Sequence, residues 1–149
     1  MSRHTNVAQL SHTVQQTQEW LKELASRPPF ETEDQAYTYL RAVLHAVRDR
    51  LTVDQAAHFS AQLPMLLRGV YWEGWRPALA PNDFRTADEF RSHVRESLGT
   101  TLPAHPIDLP AGVETVLGFL VEKIDPGELR HVTGQLPEPI RALFGQRPA

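Results

Sequence analysis

Slid along itself by 73 positions, with Pro64 laid on Pro137, the chain superimposes Gln35–Tyr71 on Asp108–Phe144 without a gap. Leu44, His58, Gln62, Leu63, Pro64 and Arg68 then meet Leu117, His131, Gln135, Leu136, Pro137 and Arg141. The apolar stripes also coincide. Ala36, Leu40, Val43, Leu44, Val47 and Leu51 fall on Leu109, Val113, Val116, Leu117, Leu120 and Ile124. The helix-start residues Thr52 and Asp125 match, each followed three positions later by Gln55 or Glu128. Caps fix where a helix begins and stripes fix what it buries, so shared caps and stripes imply a shared tertiary plan. With one residue dropped, Trp20 and Leu24 fall on Val94 and Leu98. The expectation is an all-α helical bundle of two similar units, about 14–75 and 87–145, joined by a linker at 76–86. A unit of about 60 residues has a marginal core, so the two units should share one domain over 1–149.

Apolar spacing of three and four residues recurs throughout, and no segment alternates with period two. The first helix should span about Val7–Ala25, with Leu10, Val14, Thr17, Leu21 and Leu24 inward, until Pro28-Pro29 stops it. Thr32-x-x-Gln35, Thr52-x-x-Gln55 and Thr86-x-x-Glu89 read as capping boxes. Pro64 ends the third helix or opens the fourth, which runs out at Glu73-Gly74-Trp75. Gly99 stops the fifth helix, and Thr100–Pro106 reads as a loop. Asp108 caps the sixth helix. Asp125-Pro126-Gly127-Glu128 starts the seventh, expected to end near Leu136. Pro137 opens an eighth that ends around Gly145.

Several function classes are disfavoured at once. A net charge of −3 argues against phosphate-backbone binding, so nucleic acid is not an expected partner. The chain has no cysteine, which rules out disulfides, thiolate metal sites and a thiol nucleophile. The polar start, Met1–Ser11, lacks the apolar stretch of a secretory leader. The longest apolar stretch, Val113–Val121, is broken by Glu114, Thr115 and Gly118, well short of the ~18 residues of a membrane span. The chain therefore reads as cytoplasmic. Neither Gly-x-Ser-x-Gly nor a phosphate-binding glycine loop occurs, and no cofactor is implied.

Three constellations merit attention. His58-x-x-x-Gln62-Leu-Pro64 recurs as His131-x-x-x-Gln135-Leu-Pro137. Glutamine is a poor metal ligand, so both copies read as structural, with the polar side chains bonded locally. His45 and Asp49 stand one turn apart beside Arg41 and Arg48. They could act as an acid–base pair, but a solvated face with a one-turn ion pair is the plainer reading. Tyr71, Trp72 and Trp75 cluster with Arg68 and Arg76. Aromatic and arginine residues anchor many interfaces, which makes Arg68, Trp72, Trp75 and Arg76 a candidate interaction patch. The competing reading has the rings closing the bundle, with Tyr71 buried.

The run from Leu40-Arg-Ala-Val-Leu-His to Leu51, continuing through Gln62-Leu-Pro-Met-Leu-Leu-Arg-Gly69 to Tyr71-Trp-Glu-Gly-Trp75, resembles domain-of-unknown-function family 2267. Glu19-Trp20-Leu-Lys-Glu23 resembles it too, and the likeness extends over about Val14–Phe144. One departure is Tyr71-Trp72 where the family usually has a tyrosine pair. The resemblance implies an all-helical bacterial protein of duplicated structure and brings no catalytic residues. The functional expectation is a non-catalytic protein-interaction module, binding a protein partner or itself as a homodimer. The alternative is a binder of a small apolar ligand in a crevice between the two units.

Overall fold

The caps anticipated from the sequence start the helices in the computed structural model, which describes residues 7–99 and 107–145. Helix α1 spans Ala8–Ala25, α2 Glu33–Arg50, α3 Val53–Ser60 and α4 Met65–Trp72. After a 3-10 turn at Pro77–Leu79 come α5 (Ala87–Leu98), α6 (Leu109–Lys123), α7 (Pro126–Thr133) and α8 (Glu138–Arg141). A second 3-10 turn, Ala142–Phe144, follows α8. No strand occurs among the described residues, and the fold is all-α. The segment 100–106 expected to be a loop lies outside the described residues.

Thr32 and Thr86 form complete capping boxes with Gln35 and Glu89. At Thr52 only the forward bond to the Gln55 amide forms, and Asp108 and Asp125 accept from Ala111 and Glu128. Helices α3 and α7 stop at Ser60 and Thr133, three residues short of Leu63 and Leu136. The chain must turn before the prolines, which occupy the N-caps of α4 and α8. The eighth helix is a single turn that tightens to 3-10 instead of running on to Gly145.

Helix α2 is the axle of the bundle and packs against α1, α4, α5 and α6, while α3 packs on α7. Leu40, Val43, Leu44, Val113, Val116, Leu117 and Leu120 are fully enclosed. The helices α2 and α6 approach closely because Gly112 has no side chain: a Cβ there would lie 2.6 Å from Cε2 of the buried Tyr39 ring. Similarly, α3 meets α7 through the rings of His58 and His131, whose centroids are 5.4 Å apart.

Two expectations about faces are overturned. On α1, Leu10 and Val14 face outward and Thr13 is buried in their place. The cause is the proline at the start of α4, which supplies no capping side chain; Thr13 Oγ1 accepts from the Leu66 amide at 2.8 Å and so caps α4 from another helix. The charged side of α2 is the second. It was expected to be solvated, yet His45 and Arg48 are buried.

Candidate functional site

The polar side of α2 meets the C-terminal end of α4, and the backbone of that end explains its burial. A helix leaves its last carbonyls without internal donors, and out of water each needs one. His45 Nε2 lies 2.7 Å from Val70 O, and since a carbonyl can only accept, this nitrogen carries the proton. Arg48 Nη1 donates to Tyr71 O at 2.5 Å and to Glu73 O at 2.6 Å. The Trp72 carbonyl is met from its own chain by the Trp75 amide at 3.1 Å. Gly74, at φ 73°, makes the left-handed exit that this closure requires. Arg41 completes the clamp from outside, bonding the Glu73 carboxylate at 2.8 Å.

The same network crosses to the second half of the chain. Arg48 Nε donates to Asp49 Oδ1 at 2.9 Å, and His93 Nε2 on α5 donates to Asp49 Oδ2 at 2.8 Å. The His93 ring also stacks on Phe84, with centroids 5.0 Å apart. The Asp49 carbonyl accepts from Asn82, and Arg50 donates to Phe84 O, so the linker is pinned to the end of α2. Burial alone would raise the Asp49 pKa, but the bonds from His93 and Arg48 outweigh it and hold the carboxyl below its ordinary value. Burial lowers the pKa of His45, and repulsion from Arg48 and Arg41 adds to this against the pull of the Val70 carbonyl. His45 and Asp49 therefore do not face one another as an acid–base pair: each is committed to a different structural partner. No local motif marks His93, which lies 44 residues from Asp49 and on another helix.

The aromatic segment forms a continuous chain of ring contacts, edge-to-face from Tyr71 to Trp72 and from Trp72 to Trp75. Tyr71 is fully buried, donates to Ala56 O at 2.9 Å and lies 5.6 Å from Phe59. Trp72 and Trp75 are half-buried, with ring centroids 4.7 Å apart, and Trp72 Nε1 donates to Ser60 Oγ at 2.8 Å. Arg68 donates to Leu63 O and Ala61 O, supplying the carbonyls that α3 leaves at its end; Arg76 is exposed. Of the proposed patch, Arg68 and Trp72 thus serve the fold directly. The recurrent histidines do not bond locally as expected. His58 meets His131, with Asp54 at 3.8 Å and Glu128 at 4.0 Å on either side. Among the described residues no group of three or more histidine, aspartate or glutamate side chains is arranged to hold a metal. Gln62 lines a groove instead, as do Leu63, Pro64 and Met65.

That groove has a volume of about 580 Å³ and runs between α1 and the turn from α3 into α4. It lies inside the first half, and its rim carries Gln9, His12, Gln16 and Arg68. Met65 on its wall and Leu66 next in the chain are exposed, as are Leu10 and Val14, which lie on another face of α1 with Ser11, Gln15 and Gln18. No described helix is long and apolar enough to cross a membrane.

Residues 17–143 match the family described as an uncharacterized conserved protein, DUF2267. The chain belongs to this family. The match takes in both the α2–α4 clamp and the His58–His131 contact, and stops short of the exposed start of α1. No curated protein matches the chain.

Proposed function

We propose that this chain is a non-catalytic protein-interaction module of a bacterial cytoplasm, built from two copies of one helical unit. The observation that carries the reading is where apolar surface is left uncovered. Among the described residues eight large apolar side chains are exposed, and five lie on two abutting elements: Val7, Leu10 and Val14 at the start of α1, and Met65 and Leu66 at the start of α4. The Thr13–Leu66 hydrogen bond holds these elements together. Apolar side chains left exposed on both of two packed elements support a docking surface at this end of the molecule. The polar clusters, by contrast, are spent on helix ends and inter-helix ties. The absence of cysteine fits a reducing compartment.

The duplicated plan draws support from two contacts. Tyr39 packs on Gly112 and His58 on His131, and both pairs are separated by 73 positions. A twofold axis brings a residue against its own counterpart only on the axis itself. On that line two tyrosines could not both fit, which accounts for the tyrosine–glycine pairing. The test of the interaction reading is a photo-crosslinking residue placed at Val14 or Met65 in producing cells. Discrete crosslinked products are expected from these sites and not from Val53, which is exposed on α3. Absence of any product from either site would overturn the reading.

A further inference from the structure

Helix α1 is held most firmly through its C-terminal half, and ahead of Thr13 none of its side chains is buried. Near its C-terminus Trp20 meets Phe119 edge-on at 5.5 Å, Glu23 pairs with Lys123 at 2.8 Å, and just beyond it Arg27 pairs with Glu122 at 2.8 Å. At its start no residue from Ala8 to His12 is buried, and the first buried side chain is Thr13. Helical turns with no buried side chain are marginal in water, because most helix stability comes from tertiary packing of an apolar face. This bare segment nevertheless carries such a face. Val7, Leu10, Val14, Thr17, Leu21 and Leu24 follow one another at alternating spacings of three and four residues, the seam of a coiled coil. From Thr17 onward the seam turns into the bundle. Ahead of it, Val7, Leu10 and Val14 are 49%, 58% and 43% exposed.

Charge identifies what covers them. Between Val7 and Gln18 there is no aspartate, glutamate, lysine or arginine, and His12 is the one titratable side chain; the charges begin at Glu19. In a twofold contact between identical surfaces a side chain near the axis meets its own copy, so any charge there meets its like. A different partner is normally selected by complementary charge, and this face offers none. We propose that the first half of α1 packs against the same segment of a second copy of the chain, antiparallel, making a homodimer. This rests on the interaction reading above and names its partner. With the axis near Leu10, Val7 of each copy lies beside Val14 of the other. The antiparallel arrangement opposes the helix dipoles.

Because the chain has no cysteine, Leu10→Cys reports this contact cleanly. Under mild oxidation it should give a disulfide-linked dimer, while Val53→Cys on exposed α3 should stay monomeric. In sedimentation equilibrium the unmodified chain should dimerise, and Leu10→Glu should weaken the dimer by about tenfold or more. Its melting temperature extrapolated to the monomer should hardly move, since Leu10 is largely exposed within one chain. Mixing Leu10→Glu with Leu10→Lys should restore association. The proposal is overturned if the chain is monomeric up to its solubility limit, or if both cysteine variants crosslink equally. A monomeric chain that still crosslinks another protein at Val14 would refute the homodimer and leave the interaction reading standing. No product at either crosslinking site would end both.

Discussion

Arg48→Leu removes the donor that two carbonyls at the end of α4 share. The Tyr71 carbonyl is enclosed beneath α2, so losing a charged donor there costs about 1.5–3 kcal/mol. The Glu73 carbonyl, at an exposed residue, recovers part of its loss from water. Asp49 keeps its bond from His93 but loses that from the Arg48 guanidinium, and leucine restores some apolar burial. The net destabilisation should be about 3 kcal/mol, or about 6–12 °C in melting temperature for a chain of this size. Arg48→Lys should recover less than half, since one ammonium cannot serve two carbonyls and a carboxylate with the geometry of a guanidinium. Thermal unfolding followed by circular dichroism measures the total. Tryptophan fluorescence reports the local consequence, because Trp72 and Trp75 flank the released end. A shift below about 2 °C in Arg48→Leu would refute the reasoning and leave apolar packing alone to hold α4 in place.

Acidification should destabilise the chain in two steps. The His45 imidazole takes up a proton near pH 6.5 when unfolded but only at lower pH when folded, so its contribution is complete above that value and falls as pH drops through it. The depressed Asp49 carboxyl adds a second loss below about pH 4. Urea titrations across this range should show both steps, with His45→Gln flattening the upper one. Leu44→Ala and Leu117→Ala, both at fully buried positions, should each cost about 2–5 kcal/mol in denaturant unfolding. Costs differing by more than about 2 kcal/mol would count against their equivalence in a duplicated unit. Gly112→Ala should cost about 1–3 kcal/mol, because the added methyl meets the rigid Tyr39 ring, and Tyr39→Leu in the same chain should relieve part of that loss in a thermal melt.

The limits of the helices were legible wherever a single short stretch of chain decides them. Thr32, Thr86, Asp108 and Asp125 cap from within three residues, and a proline acts on its own turn and the residue before it. The stripes of α2 and α6 could be read for the same reason: one face of each helix is apolar over its whole length. The candidate residues were less legible. His45, Asp49, Arg68 and Trp72 stand out in the sequence, but their bonds are to carbonyls, a hydroxyl and an imidazole elsewhere in the chain that leave no mark on neighbouring sequence. His93 had no local signal at all.

What the sequence alone determined, then, was the number of helices, most of their limits and the composition of their faces, because caps, breakers and apolar periodicity act over three or four residues. Only tertiary structure decided which way those faces turned. Helix α1 could have buried Leu10 and Val14, but a proline at the start of α4 leaves an amide that Thr13 is placed to satisfy, and the helix rotates to meet it. The charged face of α2 could have stayed in water, but the open end of α4 arrives against it carrying carbonyls that must be paired. In both cases the demand of a backbone group set 23 to 53 residues away in the chain overrides the preference written into the local pattern.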